Sequence, residues 1–283
     1  MYVLAYYPPQ QGGYAPQGGY APQGGYAPQG GYAPQYAASG GEYGGGGGME
    51  APKDYSLAFS EASIRRSFIR KVFAIVTLQL LVVAVMIGVI YFPEDNKFWV
   101  QRHSWVYWIS YAVFLVTYIS LMCCESVRRS FPVNLIMLSL LTVAIGYMTA
   151  MISCFHNINV VFIAMAITTV CCGSIILFSM QTKYDFTKWT GVMFVVFICV
   201  FVFGIVAIIG LIVFKTKILY IIYAFLMAGV FMVFLAIDIQ MIMGGRKYEI
   251  SPEDHIFAAI QLFLDIIYIF WMILQLVGMC SNN

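Results

Sequence analysis

Charge is what this sequence has least of. Only 10% of its 283 residues are Asp, Glu, Lys or Arg, and 61% are hydrophobic, whereas a soluble domain carries about 25% charged residues. That deficit excludes a soluble globular fold. The net charge is only +2, which gives no electrostatic reason to expect nucleic acid or an acidic substrate. Proline and glycine are scarce in most of the chain. Seven of the 10 prolines and fifteen of the 25 glycines fall in the first 52 residues. The other prolines, Pro93, Pro132 and Pro252, lie beside or near charged residues and mark connections between apolar runs. The seven cysteines form no CxxC and have no His at ligand spacing, so neither a disulfide framework nor a zinc site is expected. The first ten residues contain no basic n-region followed by an apolar h-region. A cleavable signal peptide is therefore not expected, and the first span would target the chain.

What is present divides the chain in two. The hexapeptide Tyr-Ala-Pro-Gln-Gly-Gly starts at residues 14, 20 and 26 and again, cut short, at 32, and a glycine run fills 44–48. This stretch has much backbone entropy to lose and no branched aliphatic repeat to bury. A disordered Pro/Gly/Gln/Tyr-rich tail is expected over residues 1–64. It would act either as a solvated tether or as a docking strip for adaptor proteins, although no PxxP or PPxY string occurs.

Residues 65–283 read as an all-α membrane domain. A helix needs about 20 apolar residues to cross the hydrocarbon layer. Seven segments meet or approach that length, at 72–92, 105–123, 133–154, 159–180, 189–214, 218–243 and 256–279. Barrel strands would be about half as long and would alternate in polarity, so the expected fold is a seven-transmembrane-helix bundle. Lys53, Arg65, Arg66, Arg70 and Lys71 precede the first span. Arg128, Arg129, Lys183, Lys188, Arg246 and Lys247 occupy every second connection after it. The other side holds only Lys97, Arg102, Lys215 and Lys217. Positive charge collects on the cytosolic side, which places the N-terminus there and the C-terminus across the membrane. Arg65 and Arg66 would serve this orientation or attract anionic membrane lipid.

Two acidic residues, Asp238 and Asp265, fall inside spans. A carboxylate at mid-membrane costs about 2.5 to 3.5 kcal/mol, so each is a candidate functional residue. The sixth and seventh spans are joined by a short connection at Gly244 and Gly245, which makes them neighbours. The two carboxyls would then approach each other and share a proton, because two close carboxylates do not both ionise readily. The alternative is structural bonding between helices. A proteolytic dyad is disfavoured because no GxGD string occurs: the contexts are Ala-Ile-Asp-Ile and Phe-Leu-Asp-Ile. No enzymatic role is expected. Two Asp supply at most about four of the six to eight oxygens that Ca²⁺ takes. The pair therefore suits a weak, transient metal contact in a permeation or gating site better than tight binding. In the third span Ser139, Thr142, Gly146, Thr149 and Ser153 recur on one helical face, as a polar wall or as a packing surface.

Four strings now carry a resemblance: VRRSFPVN over 127–134, FSMQTKYDFT over 178–187, FLAIDIQMIMGG over 234–245 and SPEDHIFAAIQLFLDII over 251–267. The chain from about residue 65 to 278 resembles the transmembrane Bax inhibitor motif family and, with its Pro-Gly-Tyr-rich tail, the lifeguard branch of it. The resemblance implies a pH-sensitive Ca²⁺ leak of intracellular membranes, endoplasmic reticulum or Golgi, that modulates calcium stores and restrains apoptosis. It assigns no cofactor beyond Ca²⁺ as the permeant ion. It also implies that Asp238 and Asp265 form the gate and that Arg128, or its neighbour Arg129, latches it, although both arginines fit the orientation rule equally well. Gln261 and Tyr268 stand where many members carry Asn. A seven-helix receptor is disfavoured, since no DRY follows the third span, no NPxxY lies in the seventh and the seventh has no Lys for retinal. A membrane scaffold acting through its tail is the remaining alternative.

Overall fold

The computed structural model describes residues 53–281, all helix and connection with no strand among them. In chain order the helices are α1 (Lys53–Tyr91), α2 (Glu94–Arg102), α3 (Trp105–Cys123), α4 (Glu125–Arg129), α5 (Val133–Cys154), α6 (Ile158–Gln181), α7 (Thr190–Val213), α8 (Lys217–Met243) and α9 (His255–Ser281). Among the described residues seven of them, all but α2 and α4, are long and apolar enough to cross a membrane.

The three late prolines stand at helix starts. Pro93 precedes α2, Pro132 precedes α5, and Pro252 opens the 3-10 turn Pro252–Asp254 that leads into α9. A proline has no N–H to lose at these positions, and its fixed φ suits the entry into a helix. The expected tail lies, through residue 52, outside the described residues. Helix α1 begins at Lys53, within the range expected for the tail. Residues 53–64 contain Leu57, Ala58, Glu61 and Ala62 but no Gly or Pro, so nothing interrupts the helix on that side. Four short elements were absent from the expected pattern, among them α4 and the 3-10 turn Pro252–Asp254. The charged segment 94–102 forms α2 with Phe98 and Trp99 exposed, and Phe186–Trp189 makes a 3-10 turn ahead of α7.

Helix α9 is the centre of the bundle. Of its most apolar stretch 72% is buried, against 11% for α7, and it packs on α8, α6 and α5. Helix α7 reaches the bundle through α8, and α3 through α5. Small residues allow the close approaches. A Cβ on Gly146 of α5 would lie 2.5 Å from the Met86 sulfur of α1, and one on Gly204 of α7 would lie 2.4 Å from the Tyr223 ring of α8. Helices in lipid gain little from hydrophobic exclusion and rely on such packing.

The connections gather at two ends. At one, which we term the basic end, Arg65 of α1 and segments 124–130 and 182–187 each bond to segment 244–254. At the other, Tyr91 Oη donates to the His156 carbonyl at 2.9 Å and Gln101 Nε2 to the Cys154 carbonyl at 2.7 Å.

Candidate functional site

Gly244 and Gly245 have φ of 75° and 69°, a region open to glycine at little cost. They end α8 and turn the chain back, so α8 and α9 run as antiparallel neighbours. This hairpin brings Asp238 and Asp265 together. Their exposures are 2% and 1%, and the carboxyls lie within hydrogen-bonding reach of each other. Two carboxylates contain no donor, so a bond between them requires a proton on one of them. A carboxylic acid donating to a carboxylate makes a charge-assisted bond of the stronger kind. Among the described residues, titratable groups close enough to feel the charge of the pair include Tyr118 of α3, Cys172 of α6 and Tyr268 of α9. Tyr268 is stacked on Phe231 of α8 at 4.9 Å between centroids.

Asp238 Oδ2 and Gln261 Oε1 are reached by no donor among the described residues. Gln261 lies one helical turn from Asp265 on the same face of α9. Buried oxygens without donors are the ligands that a hard cation takes. Among the described residues no cluster of three or more His, Cys, Asp or Glu offers a resident metal site.

The α5 stripe divides. Ser139 is exposed, whereas Thr142, Gly146, Thr149 and Ser153 are buried. The three buried hydroxyls each donate to the carbonyl four residues back. Thr142 then accepts from Gln79 Nε2 of α1 at 2.9 Å, and Thr149 from Trp271 Nε1 of α9 at 3.0 Å. The stripe ties α5 to α1 and α9, which is the packing alternative rather than a separate polar wall.

Arg128 and Arg129 have a different partner from the one expected. Both donate from Nε to Asp254 Oδ1 at 3.1 Å, and Arg129 Nη2 reaches Asp254 Oδ2 at 3.2 Å. Arg129 also pairs with Glu125 at 2.9 Å and Glu253 at 3.2 Å. The guanidinium of Arg128 lies 5.1 Å over the Phe257 ring. The hydrogen bond to Asp254 holds the Arg129 proton more firmly than is usual. Position along α9 explains the choice. Asp254 precedes the helix and Asp265 lies eleven residues on, about 16 Å at 1.5 Å per residue, so an arginine at the mouth meets Asp254 first. Asp254 was missed in the sequence, although Ser-Pro-Glu-Asp before an apolar run is a recognisable helix-start signal.

A second set of bonds fastens the connection between α6 and α7. Gln240, two residues beyond Asp238, accepts from the Phe186 N–H and donates to the Tyr184 carbonyl, both at 2.8 Å. Arg246 donates to the Lys183 carbonyl at 2.9 Å and to the Thr182 carbonyl. Burial opposes the charge of Asp185, but bonds from Thr187 Oγ1 and from the Lys247 and Thr187 N–H groups, together with Lys188, hold its carboxyl below the usual carboxylate value. A depressed folded-state value stabilises fully above the unfolded value, near 3.9, and the contribution is lost as pH falls through the folded value. Melting of the purified protein in detergent should therefore be more acid-sensitive between about pH 5 and 3 in wild type than in Asp185→Asn. Parallel curves would contradict this assignment.

A family profile described as "Inhibitor of apoptosis-promoting Bax1" matches residues 65–282. Protein lifeguard 3 of Homo sapiens is 46% identical over 220 residues, covering 78% of this chain and 71% of that protein. Protein lifeguard 3 of Mus musculus is 44% identical with the same coverage. Bax inhibitor 1 of Schizosaccharomyces pombe is 30% identical over 221 residues, 78% of this chain and 79% of its own length.

Proposed function

The chain belongs to the family of inhibitors of apoptosis-promoting Bax1, and from that premise we propose that it is a proton-sensitive Ca²⁺ leak of intracellular membranes, with its basic end facing the cytosol. In this role it lowers calcium stores and restrains cell death. The observation that carries the reading is the close approach of the Asp238 and Asp265 carboxyls, buried where α8 meets α9 in the interior of a seven-span bundle.

In the closed state the pair shares one proton, which does two things. It leaves one negative charge instead of two in a low-dielectric interior, where two would repel strongly, and it makes the charge-assisted bond that holds α8 to α9. A second proton leaves two neutral acids, whose mutual bond is about half as strong. Acidification thus loosens the α8–α9 contact and raises the leak. A Ca²⁺ ion entering the loosened site finds carboxyl oxygens and the Gln261 carboxamide, keeps part of its water shell and passes on, as permeation requires. The Arg128, Arg129 and Asp254 cluster is the latch at the mouth, joining α4 to the start of α9.

Calcium-loaded liposomes containing the purified full chain should lose Ca²⁺ faster than empty liposomes. Equal rates would refute the reading.

A further inference from the structure

Arg65 shows a feature that neither orientation nor lipid attraction explains. Its guanidinium is turned onto the α8–α9 hairpin. Nη1 donates to the Ile250 carbonyl at 2.7 Å and reaches the Ile242 carbonyl in the last turn of α8 at 3.5 Å. Nη2 pairs with Glu249 at 3.0 Å, and Glu249 also accepts from the Gly245 N–H at 3.1 Å. The cation lies against Gly244, where a Cβ would come within 2.8 Å of the Arg65 guanidinium carbon. The next residue, Arg66, is exposed, so two adjacent arginines have different surroundings.

A helix ends with carbonyls that lack intrahelical partners and with a partial negative charge, and a cation there satisfies both. Arg65 provides that cation for α8, the helix that carries Asp238, but it does so from α1. We infer that Arg65 is a positioning residue: it clamps the end of the Asp238 helix to α1 and acts as a second latch beside the Arg128, Arg129 and Asp254 cluster. The two latches hold the hairpin from different sides. Arg65 grips segment 242–250, and the arginine pair grips Asp254. Opening the basic end requires both to let go, and a displacement of α1 acts directly on α8. Gly244 is required twice, for its positive φ and for the room its missing side chain leaves to the guanidinium.

The inference rests on the leak proposed above, and its test has one arm that does not. In calcium-loaded proteoliposomes, Arg65→Gln should raise the resting leak at neutral pH about fivefold or more, the lower range of coupling between sites, and leave the leak in acid unchanged. Arg65→Lys keeps the charge but not the forked donors and should fall between. Gly244→Ala should resemble Arg65→Gln. A rise by the same factor at both pH values would mean general loosening and would overturn the assignment. Independently of flux, hydrogen exchange of segment 244–250 in nanodiscs should quicken in Arg65→Gln, with the α5 core unchanged. If wild type leaks and responds to Asp238→Asn, but Arg65→Gln changes neither leak nor exchange, the clamp is refuted and the leak stands. If wild type shows no leak, the proposed function fails, and the exchange result alone decides whether Arg65 holds the hairpin.

Discussion

Replacing Asp254 with Ala should both destabilise the bundle and open its basic end. Arg128 is 7% exposed and gives its Nε–H to this carboxylate, so the variant leaves a guanidinium buried beside Phe257 without its counter-charge. Removing one partner of a buried ion pair costs about 3 to 5 kcal/mol, much more than the intact pair contributes over an apolar replacement. Arg129 retains Glu125 and Glu253 and loses less. Asp254→Asn keeps an acceptor for one arginine and should cost less than Ala. Arg128→Met, which removes the charge and keeps the volume, should be milder still. Thermal unfolding in detergent checks the order Ala, Asn, Met. The resting leak should follow the same order, because the cluster joins α4 to α9. An Asp254→Ala protein as stable as wild type would show that the arginines find other partners.

The second large effect concerns the buried pair. In Asp238→Asn or Asp265→Asn the amide N–H₂ supplies the donor that the shared proton supplies in wild type. The bond between α8 and α9 survives, the surviving carboxylate keeps its charge, and no proton needs to be shared. The fold should be retained, and the ratio of acid to neutral leak should fall toward one. Asp238→Leu and Asp265→Leu instead strand a carboxyl without its partner and should lose stability. Leak measured across a pH series for the four variants checks this. An Asn variant with the full acid response would show that the titrating group lies elsewhere.

Much of this was legible from local chemistry. Hydropathy placed the ends of α3 and α5 at the observed residues, because Ser104, Pro132 and the polar stretch after Cys154 interrupt the apolar runs sharply. The other spans differ by a residue or two, apart from α1, which has no Gly or Pro over residues 53–71 to hold its start at the apolar run. Asp238 and Asp265 stood out because ionisable groups are costly in hydrocarbon, and the Gly-Gly turn indicated that their helices are neighbours. The central position of α9 was not legible. Helices in lipid are apolar on every side, so no amphipathic face distinguishes the middle helix from the outer ones. The arginine assignments were also hidden. Arg65, Arg128 and Arg129 all satisfy the positive-inside rule, which accounts for their presence without indicating that two of them grip Asp254 and one grips Gly244, Glu249 and Ile250. Those contacts span 125 residues and more, and no local pattern encodes them.

The most direct measurement is Ca²⁺ release from loaded proteoliposomes at neutral and acidic pH, with the full-length wild type compared with the double variant Asp238→Asn, Asp265→Asn after both are shown to be folded. A leak through a proton-sharing pair predicts that wild type releases Ca²⁺ faster in acid and that the double variant releases it at a rate independent of pH. A folded double variant that kept both the wild-type flux and its acid response would contradict the account.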